Sequence, residues 1–177
     1  MSRMPGAGAP PSERGSNDEH GHPPALDPAA LVSVLESMVG FVPHNRALGM
    51  KFVALDGARL TVALPYDPKL VGNPVTRVLH GGAITALMDA TCGLSVYLKL
   101  REPIPVATLD LRIDYLRPAT PDKTVYARAE CFKLTRNVAF VRCEAFHPDS
   151  EEDLVAVANG TFIRSPGRPA DSVRPGR

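Results

Sequence analysis

Across residues 107–115 apolar and polar side chains alternate, Ala107, Leu109, Leu111, Ile113 and Tyr115 against Thr108, Asp110, Arg112 and Asp114. A period of two predicts a strand with one buried face. Residues 59–65 read the same way, with Leu60, Val62 and Leu64 alternating with Arg59, Thr61 and Ala63. Residues 49–56 form a partner strand across Asp56-Gly57, a hairpin dipeptide. Three further strands are predicted at 123–134, 138–146 and 154–163, with Arg136-Asn137 and Pro148-Asp149 at the bends. Successive strands joined by such short bends make an antiparallel meander.

Two segments break this period. In the first, Leu31, Leu35 and Met38, flanked by Val34 and Val39, share one helical stripe. Asp27 can cap that helix, Pro28 suits its first position and Gly40 ends it. The second, about 81–100, is a longer helix in which Asp89 is the only charge from Gly81 through Leu98. Ile84, Leu87, Thr91, Leu94, Ser95 and Leu98 line one side; Thr85, Ala86, Asp89, Gly93, Val96 and Tyr97 line the other. A helix so poor in charge is covered on both sides. The chain's own sheet covers one, and a second subunit is expected on the side of small residues. Residues 66–79, with Pro68, Gly72 and Pro74, read as a loop. His44-Asn45, ahead of the first strand, reads as a loop pair with a packing or capping role. One long helix with five to six antiparallel strands is an α+β layer architecture.

A length of 177 residues suits one domain with a hydrophobic core. Residues 1–27, rich in Pro, Gly, Ala and charge, read as a disordered or loosely ordered arm, 28–165 as the domain, and 166–177 as a flexible tail. His20 and His22 fall in the arm, which argues against a metal role. Lys+Arg is 20 against 19 for Asp+Glu, so bulk charge does not mark a nucleic-acid binder. Cys92, Cys131 and Cys143 lie in apolar runs without metal-ligand spacing and read as buried free thiols of a reducing compartment, the cytoplasm. No continuous apolar run approaches the ~18 residues of a membrane span, and the arm lacks a signal-peptide core. No phosphate-binding glycine loop and no internal repeat is present.

Candidate chemistry concentrates at the start of the long helix, in Val78-Leu79-His80-Gly81-Gly82 and, further along, Asp89. A helix start leaves N–H groups unpaired and carries partial positive charge, so it can hold a developing anion. Two glycines there let a bound group approach the backbone. A lone carboxylate in an otherwise uncharged, buried helix is costly and asks for a functional reason. Cys92, one turn on, has no His at a spacing that would activate it as a nucleophile.

The chain resembles the hotdog-fold acyl-CoA thioesterases, in particular the phenylacetate-type (PaaI-like) branch. The resemblance rests on His80-Gly81-Gly82 with Asp89 nine residues after the His, on Thr108-Leu109-Asp110-Leu111-Arg112-Ile113-Asp114-Tyr115-Leu116-Arg117-Pro118-Ala119, and on Asn159-Gly160-Thr161-Phe162. It implies a curved sheet wrapped round the central helix and two protomers that pair to form the active sites. It also implies hydrolysis of an acyl-CoA to free acid and thiol without a metal or redox cofactor. Asp89 matches the family's general base or nucleophile, the Gly81 N–H its oxyanion donor, and His80 a residue that shapes the site. Thr108 matches a Ser or Thr that orients the carboxylate or water. The turn Lys133-Leu134-Thr135-Arg136-Asn137 lies where the family binds coenzyme A. One departure stands out: the family often has an Asn six residues before the His, where this chain has Pro74, with Asn73 one residue further back.

The spacing itself argues for a shared site. Asp89 lies roughly 12 Å along the axis from Gly81, so it cannot serve its own helix start. Antiparallel pairing of two copies brings Asp89 of one to Gly81 of the other, in a homodimer or a dimer of dimers. Simpler readings stand beside these: Thr108 as an exposed polar strand position, His80 as a turn residue, Arg136 as part of a solvated turn. Ala83, Ala86 and Gly93 leave room beside the helix, and Val96 with Tyr97 could wall an apolar acyl pocket. Two other functions fit the fold. A non-catalytic acyl-CoA or acyl-carrier binding protein is kept open by the displaced Asn73. A hydratase or dehydratase of acyl thioesters relies on a differently placed His, and no matching strand is present.

Overall fold

The computed structural model of the chain describes residues 28–100 and 105–164. The arm 1–27 with its Asp27 cap, residues 101–104 and residues 165–177, which include the tail 166–177, lie outside the described residues. Two helices, α1 (Pro28–Phe41) and the short α2 (Pro43–Ala47), precede a hairpin of β1 (Lys51–Asp56) and β2 (Arg59–Leu64). A small hairpin of β3 (Val71–Asn73) and β4 (Val78–Leu79) leads into the long helix α3 (Gly81–Leu100). Four long strands complete the chain: β5 (Val106–Tyr115), β6 (Val125–Leu134), β7 (Val138–Phe146) and β8 (Ala156–Arg164).

The main sheet has six strands in the order β1-β2-β6-β7-β8-β5, with every neighbouring pair antiparallel. The expected meander is β6-β7-β8. Strand β5, which precedes these three in the chain, lies on the far side of β8 and is an edge. Helix α3 lies across the inner face, burying Leu87, Met88, Cys92 and Val96 completely. Beneath it the strands present Ala127, Ala129, Ala139, Ala145, Ala156 and Ala158, all buried. Side chains this small let a helix approach a sheet closely, while Leu60, Val62, Leu64, Val125, Val141 and Phe162 fill the flanks. This is the hotdog arrangement, one long helix held in a curved antiparallel sheet.

The twenty residues Gly81–Leu100 reach the length and mean hydropathy, 1.2, of a membrane span. Half of that window is buried inside the fold, where the sheet uses its apolar character.

Several elements differ from the sequence reading. Residues 66–79 are structured: Asp67 caps a 3-10 turn at Pro68–Leu70 by accepting from the Lys69 N–H at 2.9 Å, and β3 pairs with β4. The Lys69 side chain and N–H together hold the Asp67 carboxyl below its ordinary value. His44-Asn45 belongs to α2, begun by Pro43, with Asn45 buried. On α1, Leu35 and Val39 face the core as expected, but Val34 is 45% exposed, and the helix runs one residue past Gly40. Val96 joins the core face of α3, since i, i+4 spacing from Cys92 carries it there.

The largest departure is in β5. Thr108 pairs with Phe162 but Asp110 pairs with Thr161, so Leu109 is an extra, bulged residue. Cross-strand partners share a face. Thr108 therefore lies on the inner face with the buried Phe162, and Leu111, Ile113 and Tyr115 follow on that same face. Leu109 is pushed outward and is 57% exposed.

Beyond β5, the crossover 116–124 is fastened to the end of β7 by His147, 1% exposed. Its Nε2 accepts from the Thr120 N–H at 2.9 Å, so Nδ1 carries the proton and donates to the Thr124 carbonyl at 2.8 Å.

Candidate active site

The helix start is shaped by the His80 ring. Its Nδ1 accepts from the Gly82 N–H at 2.9 Å, which makes His80 a side-chain cap of α3. A Cβ at Gly82 would lie 2.8 Å from that nitrogen, so only glycine leaves space for the ring. The His80 carbonyl accepts from the Ala83 N–H at 2.9 Å, closing the first turn. Gly81 N–H has no acceptor among the described residues and belongs to the donors a helix start leaves free. Tyr115, at the inner end of β5, donates to the Gly81 carbonyl at 2.7 Å. An apolar cavity of about 460 Å3 opens beside this turn, lined by Val78, Leu79, Ile84, Tyr115, Leu116 and Ala119 among others.

Asp89 lies two turns further along α3, half-buried, on the side away from the sheet's centre. Its Oδ1 accepts from Thr108 Oγ1 at 2.8 Å. The bulge at Leu109 makes this contact possible, because uninterrupted alternation from Tyr115 would carry Thr108 to the outer face. The bond occupies one carboxylate oxygen and leaves Oδ2 without a hydrogen-bond partner among the described residues. Beside it, Ala86, Ala90, Gly93 and Tyr97 are also only half-buried. Tyr97 Oη accepts from the Val106 N–H at 3.4 Å.

The other sequence-predicted residues fall in two places. Asn73 is exposed, and its Oδ1 accepts from the Val75 and Thr76 N–H groups at 2.9 and 3.3 Å, so its side chain caps its own turn. Lys133, Thr135, Arg136 and Asn137 lie together at the β6–β7 turn, all exposed. Thr135 builds that turn: Oγ1 donates to the Val138 carbonyl at 2.8 Å and accepts from its N–H at 3.0 Å. Lys133 and Arg136 carry the free cationic groups there, with no ion pair among the described residues.

Among the described residues no three His, Cys, Asp or Glu side chains are grouped to hold a metal ion. Cys92, Cys131 and Cys143 are free and buried. The neighbouring Cys92 thiol and desolvation push the Cys143 thiol well above its ordinary value, and burial raises Cys131. Tyr115 and Thr85, which meet at the Gly81 carbonyl, were not singled out from sequence. Only the inward parity of Tyr115, read with the helix start, points to that contact.

Known proteins share this construction. The family model of the Thioesterase superfamily matches residues 77–153. The Escherichia coli protein named medium/long-chain acyl-CoA thioesterase YigI is 31% identical over 147 residues, spanning 76% of this chain and 93% of that one. A crystal structure of a Pseudomonas aeruginosa protein is 42% identical with a TM-score of 0.69, covering 76% of this chain and 99% of that one. The phenylacetic acid degradation protein PaaI of Thermus thermophilus is 31% identical with a TM-score of 0.60, covering 70% of this chain and all of that one (100%). With this sheet, this helix and relatives at such identity over nearly their whole length, the chain belongs to the thioesterase superfamily and is a thioester hydrolase of the hotdog fold.

Proposed function

We propose that the chain hydrolyses acyl-CoA at a site shared between two copies, with Asp89 of one protomer facing the Gly81 helix start of the other. The observation that carries this reading is the Thr108–Asp89 hydrogen bond of 2.8 Å. It orients a carboxylate on an uncovered face of a helix that carries no other charge through Leu98. Asp89 takes a proton from water, or attacks the thioester carbonyl itself. The carbonyl oxygen becomes an oxyanion held by Gly81 N–H and the helix dipole. Collapse expels the thiolate of coenzyme A. On the base route this yields the free acid directly, and the proton held by Asp89 passes to the thiolate. On the nucleophile route it leaves a mixed anhydride on Asp89, which water hydrolyses to the free acid and the regenerated carboxylate. The residues suffice for this chemistry with water alone, and no cofactor is invoked beyond the coenzyme carried by the substrate.

The remaining assignments support the substrate class. Lys133 and Arg136 suit the phosphates of coenzyme A, with Thr135 and Asn137 forming the turn that presents them. The cavity beside Gly81 lies within the ~300–1,000 Å3 range of small-molecule sites. A relative that bears the name medium/long-chain acyl-CoA thioesterase favours acyl chains of that length here too. Three buried free thiols suit a reducing cytoplasm.

A panel of acyl-CoAs with detection of released thiol tests the reading. Thiol release that vanishes in Asp89→Ala, while acyl-CoA binding persists, supports it. Binding without turnover in the unaltered chain, or hydration of an enoyl-CoA without thiol release, overturns it.

A further inference from the structure

A hydrogen-bond network at the first turn of α3 has no part in the steps above. The Gly81 carbonyl accepts from Tyr115 Oη at 2.7 Å and from Thr85 Oγ1 at 3.1 Å, and the two hydroxyls lie 2.9 Å apart. At the other end of the same peptide, the Gly82 N–H is bound to His80 Nδ1. The preceding peptide is tied through the His80 carbonyl to the Ala83 N–H. Both peptide planes that meet at the Gly81 Cα are therefore held. The group on them without an acceptor among the described residues is Gly81 N–H.

Glycine has the widest backbone freedom of any residue, and helix ends fray. An oxyanion donor is effective only if its direction is set before charge develops. We propose that Tyr115, assisted by Thr85, is a positioning residue that aims the Gly81 N–H at the reacting carbonyl. The proposal rests on the reading of Gly81 as the oxyanion donor. The Thr85 contact alone is an ordinary bond from a helical threonine to the carbonyl four residues back. Tyr115 differs because it reaches in from β5, a separate element, and fastens the helix start to the sheet. Its Oη stands 3.2 Å from where a Cβ on Gly81 would lie, close over the residue it holds. Its inward direction follows from the parity of β5, which pairs Tyr115 with the buried Ala156. No proton passes through either hydroxyl; both act on geometry.

Steady-state kinetics of Tyr115→Phe, Thr85→Val and Thr85→Ser in the full chain test this, with ¹⁵N relaxation of the Gly81 amide as a direct readout. Tyr115→Phe is expected to lower kcat roughly tenfold with KM within about twofold and an unchanged melting temperature. The Gly81 order parameter should fall from about 0.85 toward 0.6. Thr85→Val should lower kcat by a smaller factor and Thr85→Ser should recover it. If Tyr115→Phe does not fold, the Gly81 order parameter of the unaltered chain is the test: a value near 0.85 is expected, and one below about 0.6 overturns the role of Tyr115. An unchanged kcat in an otherwise active enzyme, or a loss confined to KM, overturns the role of Tyr115 and leaves Gly81 as the donor. An unaltered chain that releases no thiol from any acyl-CoA overturns the reading of Gly81 itself.

Discussion

A carboxylate is useful in catalysis only if something holds it, and at Asp89 that something is one hydroxyl, Thr108 Oγ1, at 2.8 Å. A hydrogen bond to a charged group contributes roughly 1.5–3 kcal/mol. If the bond is at full strength in the reacting complex, its loss slows turnover by about ten- to a hundredfold. Thr108→Val should therefore reduce kcat by that order in a thiol-release assay, and Thr108→Ser should retain more activity than Val. The cysteines give a contrasting expectation. Burial and the Cys92 contact keep the Cys143 thiol protonated, and burial does the same for Cys131. A disulfide reagent should label none of the three in the folded chain and all three after denaturation. Fast labelling of Cys92 in the native protein would reopen its case as a nucleophile. His80 shows how chemistry and architecture share a residue. The motif read from sequence as a site-shaping His turns out to cap the helix whose first N–H is the proposed oxyanion donor.

The elements that sequence reveals best are those with an unbroken period. The long helix Gly81–Leu100 and the meander β6-β7-β8 follow their apolar patterns closely, because burial on one face dictates them. Periodicity fails where one residue is inserted. The alternation over 107–115 places Thr108 with Arg112 and Asp114, on the face away from the helix; the bulge at Leu109 reverses that. Nothing in the local composition marks the bulge, since Leu109 is itself an apolar residue that ends up exposed. The β3–β4 hairpin was hidden for another reason, as strands this short, amid Pro68, Gly72 and Pro74, carry no usable period. Asn73 shows the same limit: counting from His80 cannot reveal that its side chain is occupied by its own turn. The bulge has a consequence at its own scale. Deleting Leu109 restores strict alternation with the register kept, so Thr108 still pairs with Phe162 while Leu111, Ile113 and Tyr115 stay inward. Kinetics of the deletion should then stay close to those of the unaltered chain, and Thr108→Val should cost as much in the deletion as it does alone. A deletion as slow as Thr108→Val would mean that the bulged backbone itself, and not the facing of Thr108, governs the contact.

For the whole molecule the question is how a donor and a carboxylate on one straight helix can meet. They are eight residues apart, roughly 12 Å along the axis, and the helix cannot bend them together. What surrounds them suggests the answer. Strand β5 is an open edge, a row of backbone groups that proteins normally cover or pair. Leu109 protrudes from it, and Asp89, Ala90 and Gly93 of α3 are left incompletely covered by the chain's own sheet. A second copy related by a two-fold axis would cover both features and, running antiparallel, bring Asp89 to the opposite Gly81. Subunit mixing tests this without a structure of the pair. Gly81→Pro removes the N–H at a position where helices accept proline, and Asp89→Ala removes the carboxylate. Each variant alone should be inactive. After co-refolding in equal amounts, about half of the dimers are mixed, and each mixed dimer has one intact site built from the Gly81 of one chain and the Asp89 of the other. Activity should return to roughly a quarter of the unaltered level. If each chain instead carried its own complete site, no combination of the two variants could restore any.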